Sequence, residues 1–153
     1  MNAWPYRALS ASCSLIGAVA VFFQGGCSTI APYDQAAYEH VTNAKVETLL
    51  VMGKATDSYA SHKAEIERLQ VTLDKAYEYD RNRPLNSITV RMWEKLRDPE
   101  RDLLGGFLRE WQEDGPLLPK YVQNKRQQIG EAFDTISQLE SGKLKATEVA
   151  KKL

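Results

Sequence analysis

Apolar positions recur at steps of three and four residues along most of the chain after residue 33, which is the spacing of amphipathic helices. One such stripe covers residues 33–55 and a second covers residues 58–79. The residues between them, Thr56, Asp57 and Ser58, are all types that cap helices. The pattern therefore predicts two helices, or one long bent helix across a weak break.

Further helices are predicted between stronger stop signals. Pro84 ends the second helix, because a proline disfavours helical geometry in the residue before it. A short third helix then covers residues 87–96. Asp98 and Pro99 predict the start of a fourth helix, with Asp98 as its cap and Pro99 in the first helical position.

The C-terminal part of the chain also predicts helices that end at clear stop signals. Gly115 ends the fourth helix, and a fifth covers residues 119–140 before Gly142 terminates it. We find no alternating strand pattern of useful length. The predicted fold is all-α, an antiparallel bundle of about four to five helices that follows a cleaved N-terminal signal helix.

The N-terminus carries a different pattern. Arg7 precedes an apolar run of nine residues, Leu15–Phe23, and Gly25 and Gly26 then lead directly to Cys27. A membrane-spanning helix needs about 20 apolar residues, whereas the apolar core of a secretory signal needs roughly 7–15. The run therefore predicts an export signal.

These residues resemble the lipobox of bacterial lipoproteins, which are cleaved by the lipoprotein signal peptidase before a lipidated cysteine. Gly25 and Gly26 occupy the two small positions and Cys27 the lipidated one, while Gln24 stands where leucine is usual. The resemblance implies a lipid anchor at Cys27. Ser28 after the cysteine implies sorting to the outer membrane, on its periplasmic face, with the inner membrane or secretion as alternatives.

The chain accordingly divides into four parts. Residues 1–26 are the signal peptide, residues 27–32 are the lipidated cysteine with a short tether, residues 33–142 are the helical bundle, and residues 143–153 are a lysine-containing tail. The tether spans less than about 20 Å even when fully extended. We therefore expect the bundle to lie close to the membrane.

Composition narrows the possible functions. The chain has 20 basic and 20 acidic residues, and such a neutral domain lacks the basic excess of a nucleic-acid binder. Cys13 leaves with the signal and Cys27 takes the lipid, so the mature domain has no free thiol for a disulfide or a soft metal site.

No pattern indicates catalysis or a cofactor. His40 and His62 are the only histidines, too few for a zinc site with three protein ligands, and the sequence has no HExxH, GxSxG or SxxK motif. Glu110, Glu113 and Asp114 have the spacing of a solvated helix face. We expect no metal, no cofactor and no enzymatic activity.

One region combines the features of an interaction surface: several arginines, a glycine pair and two tryptophans. Its candidate residues are Arg81, Arg83, Arg91, Trp93, Gly105, Gly106 and Trp111. Nearby acidic residues also fit a salt-bridged surface. The glycine pair fits either a hinge or the close approach of another backbone.

Aromatic residues on helical stripes are more often core than surface. Phe107 and Trp111, four residues apart, are expected to pack inward. Trp93 lies beside the stripe of Ile88, Met92 and Leu96 and is the better candidate for exposure, although burial is favoured for it as well.

Taken together, these features predict a structural or protein-interaction role in the bacterial envelope, with an envelope protein as partner. A small-ligand or lipid-binding module is the first alternative, with the glycine pair opening an apolar pocket. A cell-envelope enzyme is the second.

Overall fold

The computed structural model describes residues 31–144 and Glu148. The predicted signal peptide, Cys27 and most of the C-terminal tail lie outside the described residues. The described part is all-α, with five helices, as predicted. They are α1 (Gln35–Met52), α2 (Lys63–Arg81), α3 (Ser87–Arg97), α4 (Leu104–Asp114) and α5 (Pro119–Glu140), with a 3₁₀ turn at Tyr59–His62 before α2.

Helix α1 begins where a side chain satisfies its first amide groups. Asp34 is extended, and its carboxylate accepts a hydrogen bond from the Ala37 amide at 3.0 Å. The predicted apolar stripe of α1 is buried along its length. The helix ends at Gly53, and residues 53–58 form turns before the 3₁₀ segment, so the region contains two helices and not one bent helix.

The predicted start of the fourth helix is wrong. Asp98, Pro99 and Glu100 form a turn, in which the Asp98 carboxylate accepts from the Glu100 amide at 2.9 Å and the Asp98 carbonyl accepts from the Arg101 amide at 3.1 Å. The same short side chain that caps a helix also closes such a turn. Helix α4 begins at Leu104 instead.

Helices α2 and α5 both pack against α1 and run antiparallel to it. At one end of the bundle Asp34 accepts from the Tyr79 hydroxyl at 3.1 Å, and at the other end Lys54 pairs with Glu65. The Leu117 amide donates to the Ala55 carbonyl at 2.7 Å, which joins the start of α5 to the end of α1. We call the two ends the Arg83 end and the Leu118 end.

The core lies between α1, α2 and α5 and is closed by α3 and α4. Trp93 and Phe133 meet edge to face with ring centroids 5.8 Å apart. Lys125 lies on the buried face of α5, where its ammonium group pairs with Asp102. None of the helices in the described ranges is long and apolar enough to cross a bilayer.

Candidate functional site

Four side chains from four segments meet at the Arg83 end, and we call them the Arg83 cluster. Asp80, Trp93 and Glu140 are buried, and Arg83 is largely buried. Arg83 lies just beyond α2, and its guanidinium donates to Asp80 at 3.2 Å and to the Glu140 carboxylate. Its second terminal nitrogen donates to the Pro32 carbonyl at 2.8 Å. One side chain therefore connects α2, α5 and the segment that leads into α1.

Asp80 is fully buried and accepts hydrogen bonds at both oxygens. The Trp93 indole donates at 2.7 Å, and the Asn86 amide donates to the other oxygen at 3.3 Å. Burial, and then the negative charge of Glu140, raise the pKa of Asp80 to about 6. A single guanidinium therefore faces two buried carboxylates.

The second carboxylate of the cluster belongs to the last residue of α5. Glu140 is buried, accepts from the Thr89 hydroxyl at 2.9 Å, and pairs with Arg83 at its other oxygen. Asp34 lies outside the cluster, and its pKa is held below its usual range mainly by the hydrogen bond from the Ala37 amide. These carboxylates are satisfied by neighbouring donors, which is the arrangement of a structural cluster.

The two tryptophans of the predicted interaction region are core residues, which was the favoured expectation for both. Trp93 and Trp111 are both fully buried, so neither can form an exposed aromatic patch. The buried face of α3 contains Ile88 and Leu96 of the predicted stripe and is widened by Thr89 and Trp93, whereas Met92 is only partly buried. The Trp111 indole donates to the Asp57 carbonyl at 2.8 Å, which joins α4 to the turn after α1.

The glycine pair marks a close approach of two backbones. Gly105 and Gly106 lie in the first turn of α4, beneath the segment from Arg97 to Arg101. A Cβ atom on Gly105 would overlap the Arg97 carbonyl, and one on Gly106 would overlap the Arg101 carbonyl. The structure thus accounts for the pair by packing within the bundle.

The three predicted arginines line one shallow groove but differ in exposure. Arg83 belongs to the buried cluster, whereas Arg81 is exposed and pairs with Glu78 at 2.9 Å on the same helix. Arg91 is exposed on α3 and lines a shallow groove with Arg81 and Leu85. The structure brings Arg81, Arg83 and Arg91 to the Arg83 end, apart from the glycine pair.

An exposed apolar strip, which the sequence reasoning did not identify, runs along α1 and α2. It consists of Val46 and Leu50 on α1 and Val71 on α2, and we call it the α1–α2 strip. All three side chains are more than half exposed, and Leu50 and Val71 line the same groove. The available signal was the apolar residues of α1 that lie off its buried stripe.

Charged groups border the groove beside the α1–α2 strip. Glu47 lines it from α1, Lys54 from the turn after α1, and Glu65, Arg68 and Lys75 from α2. The hydrogen bond from Lys54 is the largest influence on Glu65 and holds the pKa of that carboxyl below its usual range. An apolar centre with a mixed polar rim is the common composition of a protein-binding face.

The other polar groups do not assemble a metal centre. No group of three or more histidine, cysteine, aspartate or glutamate side chains within residues 31–144 is arranged to hold a metal ion. Of the carboxylates at the end of α4, Glu110 accepts a hydrogen bond from the Tyr121 hydroxyl. The pKa of this phenol is raised, mainly by its burial and secondly by the hydrogen bond to Glu110.

No protein-family model, curated protein or solved structure matches this chain.

Proposed function

We propose that the protein is a lipoprotein of the bacterial envelope, anchored through Cys27 at the periplasmic face of the outer membrane, with a structural or protein-interaction role. The anchor is inferred from the signal-like run and from the residues Gly25, Gly26 and Cys27. The partner is an envelope protein that docks on the α1–α2 strip.

The observation that carries this proposal is the exposure of the strip. Leu50 is 64% exposed and Val71 is 51% exposed, although they lie on α1 and α2, whose apolar stripes are otherwise buried in the core. Apolar side chains grouped in this way on one face are typical of a surface that a partner covers. The charged rim would then fix the orientation of the partner.

The position of the strip also fits an anchored protein. Leu50 lies sixteen residues after Asp34 on a helix that begins at the Arg83 end, which places it about 24 Å along the bundle. The segment that leads towards Cys27 leaves from the Arg83 end. A partner on the strip would therefore be held away from the anchored end.

The test is photocrosslinking in the producing cell. A photoreactive residue at Leu50 or at Val71 is expected to give the same specific adduct, identified by mass spectrometry. The double variant with Val46→Glu and Val71→Glu, which adds two negative charges to the strip, is expected to lose the adduct at Leu50. The matched control is Leu118, which is 76% exposed and apolar but lies at the far end of the bundle. Equal adducts from all three positions would contradict docking on the strip.

A second candidate, a small-ligand or lipid-binding module, has one observation in its favour. A groove of about 450 Å³ between α2 and α4 has an apolar wall of Leu73, Leu104 and Leu108, with Arg97 and Arg109 at its rim. That volume is within the range of small-molecule sites. Mass spectrometry of protein refolded without lipid and then incubated with a lipid extract tests it, and Leu108→Glu is expected to prevent any retention.

A further inference from the structure

The Arg83 end has a fixed position relative to the start of the described chain. The bond from Arg83 to the Pro32 carbonyl ties that carbonyl to the buried cluster, and the side chain of Arg83 is itself only 11% exposed. Residues 28–31 alone separate Pro32 from Cys27 in sequence. Fully extended, this segment spans less than about 20 Å.

The opposite end lies beyond that reach. Helix α5 has 22 residues and is therefore about 33 Å long, from Pro119 at the Leu118 end to Glu140 at the Arg83 end. A bilayer that holds Cys27 can thus lie against the Arg83 end, and a bundle that stands on this end places the Leu118 end about 33 Å out in water.

The surface of the Arg83 end carries two apolar or amphipathic side chains that the fold does not use. Tyr33, next to Pro32, is 61% exposed, and Leu85, two residues after Arg83, is 55% exposed. Tyrosine is enriched where an apolar phase meets water, because its ring is apolar and its hydroxyl is polar. Leucine gains from burial in the same place.

Leu85 is also held in an unusual conformation. It has a φ of 60°, the only positive φ among non-glycine residues of the described ranges, in a region that residues with a Cβ rarely adopt. The next residue, Asn86, is buried and donates to the Asp80 carbonyl at 3.0 Å, so the loop is fixed on the cluster. A strained backbone that presents an apolar side chain to solvent points to a contact outside the fold.

Charged groups at this end are largely matched within the fold. Arg81 pairs with Glu78, and Arg83 pairs with Asp80 and Glu140. Two of the three arginines at this end are thus neutralised within the fold, and a contact made by Tyr33 and Leu85 does not require the basic cluster by which proteins select anionic lipids.

We propose that the Arg83 end rests on the headgroup region of the bilayer, with Tyr33 and Leu85 as its membrane contacts. This inference rests on the proposed function, since it requires anchoring at Cys27. The contact is made by the apolar and aromatic side chains, so it does not depend on anionic lipid.

The test uses the full lipidated protein, extracted from membranes and reconstituted into phosphatidylcholine vesicles. Once Cys13 has left with the signal and Cys27 carries lipid, an introduced cysteine is the only free thiol and takes a nitroxide label. Labels are placed at Leu85→Cys, at Tyr33→Cys and, as the control, at Leu118→Cys. Accessibility to a water-soluble nickel chelate is measured by electron paramagnetic resonance.

Labels at positions 85 and 33 are expected to be severalfold less accessible than the label at position 118, equally in neutral vesicles and in vesicles with phosphatidylglycerol. Equal accessibility at all three positions would overturn the membrane contact, and protection only in the anionic vesicles would overturn its apolar nature. Flotation with neutral vesicles in high salt is measured first. Protein that does not float contradicts the anchor, and with it the proposed function, whereas floating protein with accessible labels contradicts the contact alone.

Discussion

The indole of Trp93 donates a hydrogen bond to the buried carboxylate of Asp80 at 2.7 Å, across the boundary between α2 and α3. The bond places the largest side chain of α3 against a group that would otherwise be difficult to bury. A hydrogen bond to a charged acceptor contributes about 1.5–3 kcal/mol, more than one between neutral groups.

Trp93→Phe should therefore destabilise the fold by about 2 kcal/mol or more, because it removes a donor to a buried charge. Trp111→Phe is the matched control, since the side chain changes in the same way but the lost hydrogen bond goes to the neutral Asp57 carbonyl. This substitution should lower the free energy of unfolding by about 1 kcal/mol. Urea denaturation followed by circular dichroism measures both. Equal losses would show that the charge of Asp80 does not matter to this bond.

The stability of the protein should depend on pH through Asp80. Its pKa is raised from 3.8 to about 6, so between these values the folded protein binds a proton that the unfolded chain has released. The stabilisation of the folded state by this extra proton is therefore fully present below about pH 4 and is lost as the pH rises through 6. The resulting decrease in the free energy of unfolding is at most about 3 kcal/mol. Carboxyls with a lowered pKa, such as Asp34 and Asp102, act in the opposite direction.

Asp80→Asn isolates this effect from that of the other carboxyls. The free energy of unfolding of the variant, relative to the unmodified protein, should rise between pH 4 and pH 7, because the variant has no proton to lose there. Urea titrations at several pH values measure it. Two parallel curves would mean that Asp80 has the same pKa in both states.

Arg83 should be the most sensitive of the arginines. Arg83→Met leaves Asp80 and Glu140 buried without their cation, and losing one partner of a buried pair typically costs 3–5 kcal/mol. Arg81→Met removes an exposed pair with Glu78 and should change stability by less than about 1 kcal/mol. Thermal unfolding compares the two, and similar effects would indicate that the cluster is hydrated.

The glycines should separate into two classes. Gly105→Ala and Gly106→Ala should each strongly lower the melting temperature, because the added methyl group meets the backbone of the segment before α4. Gly130→Ala, within α5, meets only flexible side chains at 3.9 Å and should stabilise the protein by up to about 1 kcal/mol, the usual helix-propensity difference. A tolerated alanine at position 105 would favour the hinge interpretation.

The helices could be predicted from the sequence because each has a stripe of apolar residues that is buried in the fold. The Asp98–Pro99 segment was misjudged, since a helix cap and a tight turn use the same local chemistry, and only the approach of α4 decides between them. The spacing of apolar residues in α3 predicted too narrow a buried face, because in so short a helix few positions determine it, and Trp93 beside the stripe is buried as well.

The Arg83 cluster was not predicted, although the sequence contains one signal of it. Asp80 continues the stripe of Leu73 and Ala76 at helical spacing, which signals a buried carboxylate. Its partners, however, lie far apart in sequence: Arg83 and Glu140 are 57 positions apart. Local patterns carry no information on such pairs. The α1–α2 strip was missed for a related reason, because which apolar face of α1 stays exposed depends on how α2 and α5 pack.

The bond from Arg83 to Pro32 also determines how the fold responds to mechanical load. A pull on the segment before Pro32 does not act first on the opening turn of α1, since the Pro32 carbonyl is already bonded to Arg83. Through that side chain the force passes to the last residue of α5 and to the end of α2. Tension is thus shared by several helices at once, and the first helix is protected from unwinding from its N-terminus.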